Sequence, residues 1–256
     1  MASKQPLTRR TFLKAALALG GWAALESSGL NRIACAAAGS GPVDVFYQGK
    51  RRLPYVALTF DDCYNLDLLQ ELEQMLSAHR HVQVTFFPTG TALENTSRDD
   101  PDLWGRLAAQ GHEIGSHSYQ HQFASTLSAQ EMQDDFDRWL EAAHQALGYV
   151  PAVRFARPAY GELAFAFMKL CEDRGLVPTM WSTNWGTAPE RAEQEIPRMR
   201  GGEIALLHIR AWDLENTRLA IRLMAERGFK GVTLSTLYNA SHDVHLECRP
   251  GDPCAR

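Results

Sequence analysis

No apolar run in this chain approaches the ~20 residues a helix needs to cross a hydrocarbon layer of about 30 Å; the stretch from Ala15 to Leu25 stops well short of that. Basic charge is scarce as well. Lys and Arg number 26 against 30 Asp and Glu, a net charge of −4. Such a balance gives no general attraction for nucleic acid or anionic membranes, so neither is expected as a partner. No internal repeat is visible, and low complexity is confined to the alanine-rich N-terminal region. Hydrophobic residues make up 45% and charged residues 22%, which excludes a disordered or fibrous chain and leaves material for one large core.

Cysteine is sparse too, with five in 256 residues. Cys248 and Cys254 bracket Arg-Pro-Gly-Asp-Pro and suggest a short disulfide-closed loop in the tail. Cys171 lies in an apolar helical stretch and reads as a buried thiol. Cys63 follows two acids; no base is paired with it by spacing, so it reads as a small residue filling a tight turn.

The N-terminus carries Arg9-Arg10, then the apolar run, then Ala34-Cys35-Ala36-Ala37-Ala38. That order of parts is a twin-arginine export signal, with cleavage after Ala36 or Ala38 and a destination that is periplasmic or secreted. Arg32 stands where a lipoprotein signal needs an apolar residue. Without residues 1–38, which hold five Lys or Arg and one Glu, 21 basic residues face 29 acidic ones, a net of −8.

From Val43 onward, short apolar segments alternate with helical ones. Val56 to Phe60, Val82 to Phe87, Glu113 to Ser116, Val153 to Ala156, Val177 to Trp181, Ile204 to His208 and Gly231 to Ser235 read as strands. Leu66 to His79, Pro101 to Gln110, Ala129 to Leu147, Glu162 to Arg174, Ala188 to Met199 and Thr217 to Arg227 read as helices. Asn65 is placed to cap the first, and Ser128-Ala-Gln-Glu131 is a capping box for the third. The alternation implies parallel strands with helices outside. The expected fold is therefore α/β, a distorted (β/α) barrel of about seven strands. The expected division is a signal peptide (1–38), an N-terminal linker or strand (39–54), a catalytic domain (55–240) and a C-terminal tail (241–256).

Chemistry gathers where strands end. Val56-Ala57-Leu58-Thr59-Phe60 runs into Asp61-Asp62, and successive strand side chains point to opposite faces, so both acids converge only if the backbone turns there. His117 and His121, four apart, would share one face of a helical turn and reach a single metal. Two histidines and a carboxylate with an open position suit catalytic zinc first. Arg157, Asn184 and His208 also end strands, whereas His112 precedes one and reads as structural. Trp104 and Trp139 sit on amphipathic helices and read as core; Trp181, Trp185 and Trp212 lie near strand ends as candidates for stacking on sugar rings.

Thr59-Phe60-Asp61-Asp62, His117-Ser118-Tyr119-Gln120-His121, Arg157-Pro158-Ala159-Tyr160-Gly161 and Leu206-Leu207-His208, in that order, resemble the motifs of the NodB-homology polysaccharide deacetylases, a carbohydrate esterase family. The resemblance covers residues 55 to about 238. It implies metal-dependent removal of N- or O-acetyl groups from a glycan outside the cytoplasm, with one divalent metal, zinc ahead of cobalt or nickel. Asp62, His117 and His121 would hold it and Asp61 would be the general base, with Arg157 paired to it. The Tyr160 backbone N–H would help stabilise the oxyanion, and His208 would protonate the leaving group. Leu206 and Trp185 would wall the acetyl pocket.

The departures are local. Cys63 replaces a usual Gly, Ala159 a usual Pro, and Ile209 a common acid. Asn184 aligns with the aspartate that would pair with His208; an amide orients an imidazole without adding charge to it, and Asp213 is the nearest substitute. Two other readings stay open: a glycan-binding protein that has lost catalysis, and a hydrolase of cyclic amides of the imide or allantoin type. The loops expected after Gly90 and after Ile209 would shape the groove. Neither carries a substrate signature, and nothing in the sequence speaks to oligomeric state.

Overall fold

The computed structural model describes residues 43–242, so the expected export signal, Cys35, Cys248 and Cys254 lie outside the described residues. Strand β1 (Tyr55–Asp62) has six buried residues in succession. A strand buried on both faces needs covering on both sides, which is why it reads as a continuous apolar run rather than an alternating one. β2 (Thr85–Pro88) and β7 (Ile204–Leu207) pair with it in parallel, and β8 (Lys230–Gly231) pairs with its first residues.

β3 (Glu113–Ile114) extends the sheet beyond β2, and β6 (Thr183–Asn184) extends it beyond β7. β4 (Phe155–Ala156) and β5 (Val177–Pro178) form a separate parallel ladder, tied to the β3 side by a bridge between Ser116 and Ala156. The resulting order is β5-β4-β3-β2-β1-β7-β6. This is the distorted (β/α) barrel, seven strands in that order with the short β8 beside the start of β1, and among the described residues no ladder joins β5 to β6. The expected strand Val177 to Trp181 is shorter as a ladder, Val177–Pro178, and goes on as a single parallel bridge at Thr179, where Phe46 N–H bonds Pro178 O and Met180 N–H bonds Phe46 O. Residues ahead of β1 are thereby stitched onto the barrel.

Helices α1 (Leu66–Ala78), α2 (Gly90–Asp99), α3 (Leu103–Ala109), α4 (Ala129–Leu147), α5 (Phe165–Arg174), α6 (Pro189–Glu195), α7 (Ala211–Glu226) and α8 (Leu234–His242) connect or flank the strands. Asn65 caps α1 by accepting Leu68 N–H, and Ser128 with Glu131 forms both halves of the capping box on α4. Two expected loops are helices. The segment after Gly90 is α2, capped by Thr89, which accepts Ala92 N–H. Its apolar stripe is thin, with Ala92 and Leu93 buried among polar residues, so packing against the body rather than sequence periodicity decides its state. The segment after Ile209 begins α7 at Ala211, six residues before the expected Thr217.

Trp104 and Trp139 are fully buried, as is His112 nearly so. Trp139 donates its indole N–H to Pro88 O at the end of β2, 2.8 Å away, which anchors α4 beside the carboxyl end of the sheet.

Candidate active site

Asp61 and Asp62 close β1 in register with Phe87 and Pro88 of β2. Asp62 and Cys63 then adopt left-handed backbone with φ of 67° and 66°, a conformation unfavourable for residues bearing a Cβ. This turn brings both carboxylates to one side. Cys63 is fully buried, with its thiol 3.5 Å from Phe60 O, and fills the turn.

The second motif is not a helical turn. Residues 117–121 form an irregular loop in which Ser118 (φ 63°) and His121 (φ 56°) are left-handed. The i, i+4 spacing brings the two rings together, with centroids 4.9 Å apart, by a route the periodicity did not indicate. The loop is clamped on both sides. Gly90 N–H and Thr91 N–H, at the start of α2, donate to the Ser118 and Tyr119 carbonyls. Asp135 on α4 accepts Tyr119 N–H at 2.7 Å. The Tyr119 ring lies under the Arg138 guanidinium at 4.0 Å, and its hydroxyl donates to Glu94. Burial raises the Asp135 carboxyl above its ordinary value, partly opposed by the Tyr119 and Gln120 amides.

Three ligand-type side chains meet here. His121 Nε2 lies 3.2 Å and His117 Nε2 3.5 Å from Asp62 Oδ1. His117 Nδ1 sits 2.9 Å from Arg157 O; a carbonyl only accepts, so Nδ1 carries the hydrogen and the Nε2 lone pair faces Asp62. Burial alone would raise the Asp62 carboxyl, but His117, His121 and His208 outweigh it and hold it below its ordinary value. Burial would lower His117, yet Asp61 and Asp62 prevail and raise it. His121 is lowered, by burial first and by His117 second.

Behind this cluster Arg157 is fully buried. Its Nη1 donates to Asp61 Oδ1 at 2.6 Å and to Thr59 Oγ1 at 2.8 Å, and its Nη2 to Met180 O at 2.9 Å. The Phe87 ring covers the guanidinium at 4.3 Å. Burial works against its charge and the Asp61 carboxylate supports it, with burial the larger effect. Arg157 occupies Asp61 Oδ1, while Oδ2 lies 3.8 Å from His117 Nε2, on the side of the ligand cluster.

His208 stands across the site, its Nε2 4.0 Å from Asp62 Oδ2. Its neighbours differ from the expected ones. Asn184 is exposed on β6, paired in register with Leu206, and no hydrogen bond joins it to His208 among the described residues. Asp213 is fully buried but reaches the histidine only through Arg210, whose Nε lies 2.6 Å from Asp213 Oδ2 and whose Nη2 lies 3.0 Å from His208 Nδ1. Strand alternation explains the difference: it sends Trp185 inward and Asn184 outward. Trp185, fully buried in the core, is therefore not a surface for stacking on a sugar.

Around the mouth, Tyr160 (φ 58°) is 57% exposed and sits 4.4 Å from the His121 ring, with Phe123 stacked on it at 3.9 Å. Leu206 is nearly buried, and Trp212 is exposed beside Arg210. Sequence reading missed Arg210, Asp135 and Gly90. An acid in the first turn of a helix directly after a strand-end histidine was the available signal for the first, and nothing local marked the other two.

A family model described as polysaccharide deacetylase matches residues 48–178. A peptidoglycan-N-acetylglucosamine deacetylase of Bacillus cereus is 30% identical over 138 residues, covering 54% of this chain and 48% of its own. The peptidoglycan-N-acetylmuramic acid deacetylase PdaA of Bacillus subtilis is 29% identical over 173 residues, 64% of each. This chain thus spans about half to two thirds of those relatives. The solved structure of Bacillus subtilis PdaA, described as a family 4 carbohydrate esterase, superposes with a TM-score of 0.67 at 26% identity, over 77% of this chain and 86% of that one. A protein of Bacillus anthracis described as a pseudoenzyme of the same family superposes with a TM-score of 0.67 at 23% identity, over 77% and 69%, and shares the fold.

Proposed function

Because this chain belongs to the polysaccharide deacetylase family, we propose that it is a metal-dependent hydrolase that removes acetyl groups from a glycan outside the cytoplasm, with N-acetyl groups of peptidoglycan as the first substrate to test. The observation that carries this reading is the convergence of Asp62, His117 and His121 beside the buried Asp61–Arg157 pair. The relatives named for peptidoglycan deacetylation support the substrate class, and the paired arginines of the N-terminal segment support export.

The residues fit a metal ion. Asp62 Oδ1 is buried without a hydrogen-bond partner although two imidazole nitrogens approach it, because none of the approaches has hydrogen-bond geometry. A buried carboxylate oxygen left unsatisfied is costly unless a cation takes its place there. One carboxylate and two imidazoles suit zinc, then cobalt or nickel. When bound, such an ion lowers the pKa of water toward about 7 and polarises a carbonyl.

The chain's own groups supply the rest. Asp61, oriented by Arg157 through Oδ1, presents Oδ2 to take a proton from the attacking water. The Tyr160 ring packs against His121 at 4.4 Å from a left-handed turn, and its backbone N–H is the group assigned to the developing oxyanion. Leu206 on β7 would bound the site on that side, and His208, directly after the same strand, would face the leaving group.

The test is acetate release from acetylated glycans by the zinc-loaded protein, the metal-free protein and Asp61→Asn. Release that needs metal and falls by about 10²-fold or more in Asp61→Asn supports the reading. Absence of release from any glycan, with metal bound, would sink it in favour of a binding protein or a cyclic-amide hydrolase.

A further inference from the structure

We propose that Arg210 is a positioning residue that fixes His208 with its Nε2–H turned to the cleft, so that the histidine serves as an oriented hydrogen-bond donor to the reacting acetyl or leaving group. Its catalytic part rests on the deacetylase reading; the hydrogen-bond assignment does not.

The argument is one of donors and acceptors. A guanidinium has five N–H donors and no acceptor. Around Arg210 Nη2 lie Gly186 O at 2.8 Å, His208 Nδ1 at 3.0 Å and, more distantly, Asp213 Oδ1 at 3.4 Å. No atom of Arg210 can accept a hydrogen from Nδ1, so at 3.0 Å Nδ1 offers its lone pair and the ring hydrogen belongs to Nε2, the nitrogen that faces Asp62 at 4.0 Å. A ring with hydrogen on Nδ1 would set N–H against N–H. The arginine has little freedom to move aside. Its Nε is held at 2.6 Å by Asp213, which is fully buried, and the Trp212 ring packs against the guanidinium at 4.8 Å. A carboxylate in this place would accept from Nδ1 and produce the opposite tautomer; Arg210 reverses it.

Space for the arrangement comes from Gly186. A Cβ at that position would lie 2.9 Å from Arg210 Nη2, 2.9 Å from Asp213 Oδ1 and 3.3 Å from His208 Nδ1. A single methyl thus wedges the three groups apart without changing any charge. Arg210→Met alone would strand the buried Asp213 carboxylate, so the companion variant is the double Arg210→Met/Asp213→Asn.

Two-bond proton–nitrogen spectra of histidine-labelled, zinc-loaded protein, with the His208 signals assigned by their loss in His208→Gln, read the tautomer directly. The expected result is a bare Nδ1 and a hydrogen on Nε2 in the unaltered protein, giving way to a mixture in Gly186→Ala and in the double variant. In acetate release both variants should lose about 10²-fold in kcat, the scale of one misplaced donor, with KM within about twofold. Hydrogen on Nδ1 in the unaltered protein, or spectra unmoved by both variants, would overturn the assignment. A kcat unchanged in both would overturn the catalytic part. If the unaltered protein releases no acetate, the deacetylase reading falls with that part, while the spectra still decide the Arg210–His208 bond.

Discussion

Arg157 Nη1 lies 2.6 Å from Asp61 Oδ1, and neither side chain reaches solvent to any useful extent. The pair joins the end of β1 to the end of β4, with Thr59 as a third member that passes its own hydroxyl hydrogen to Ala205 O on β7. Breaking a buried pair from one side leaves the other charge uncompensated, which costs about 3–5 kcal/mol. Arg157→Met should destabilise the protein on that scale in urea unfolding, as well as abolish activity. Arg157→Lys should rescue little of it, since a single ammonium cannot span Asp61, Thr59 and Met180 at once. A loss below about 1 kcal/mol in Arg157→Met would contradict this account of the pair.

The loop bearing His117 and His121 is expected to depend on groups that touch neither histidine. At Gly90 an added Cβ would fall 2.2 Å from Tyr119 Cδ2, so Gly90→Ala must displace the ring or the loop. Asp135→Ala removes the acceptor of Tyr119 N–H. Both should weaken zinc affinity by roughly 10- to 100-fold, the usual effect of losing an outer support of ligands. Asp135→Asn keeps one acceptor oxygen and should retain most of the affinity. Chelator competition measures all three, and equal affinity in Asp135→Ala and the unaltered protein would remove the clamp from the argument.

His112 carries a prediction about acid. It is nearly buried, accepts Val84 N–H through Nδ1, and burial pushes it down to about 4, with Glu73 opposing. The unfolded chain binds the proton near pH 6.5, the folded one only near 4, so between those values the unfolded state holds more protons. Stability from this group is therefore complete above about pH 6.5 and declines as pH falls toward 4. At roughly 1.4 kcal/mol per pKa unit the full loss is about 3 kcal/mol. His112→Gln, which keeps an acceptor for Val84, should flatten that part of a stability–pH curve; an unchanged slope would exclude His112 as its source.

The two thiols within the described residues should be inert in the native state. Cys171 is pushed up to about 12 by burial, and Cys63 is raised well above the ordinary thiol value by burial first and then by Asp62 and Asp61. Only the thiolate attacks an alkylating reagent. Mass spectrometry after iodoacetamide at pH 8 should find both unmodified until the protein is unfolded, and rapid labelling of Cys63 in folded protein would contradict its place in the β1 turn.

Much of the site was legible because its signals are local. A buried run ending in two acids, two histidines four apart, capping residues and strand-end histidines and arginines are patterns that a few residues carry by themselves. The same locality explains the errors. Apolar periodicity missed α2, whose stripe is only two residues deep, and took the 117–121 spacing for a helical turn that the left-handed Ser118 and His121 do not form.

The sequence by itself determined the alternation of strands and helices, the order of the motifs and the residue types available for chemistry, since each follows from short-range patterning and side-chain identity. Tertiary structure alone decided which of those residues face one another. The register of β6 on β7 turned Trp185 into the core and Asn184 to solvent, and the opening at Gly186 let Arg210, rather than a carboxylate, meet His208. Register and close approach are set by how distant segments pack, and no window along the chain contains that information.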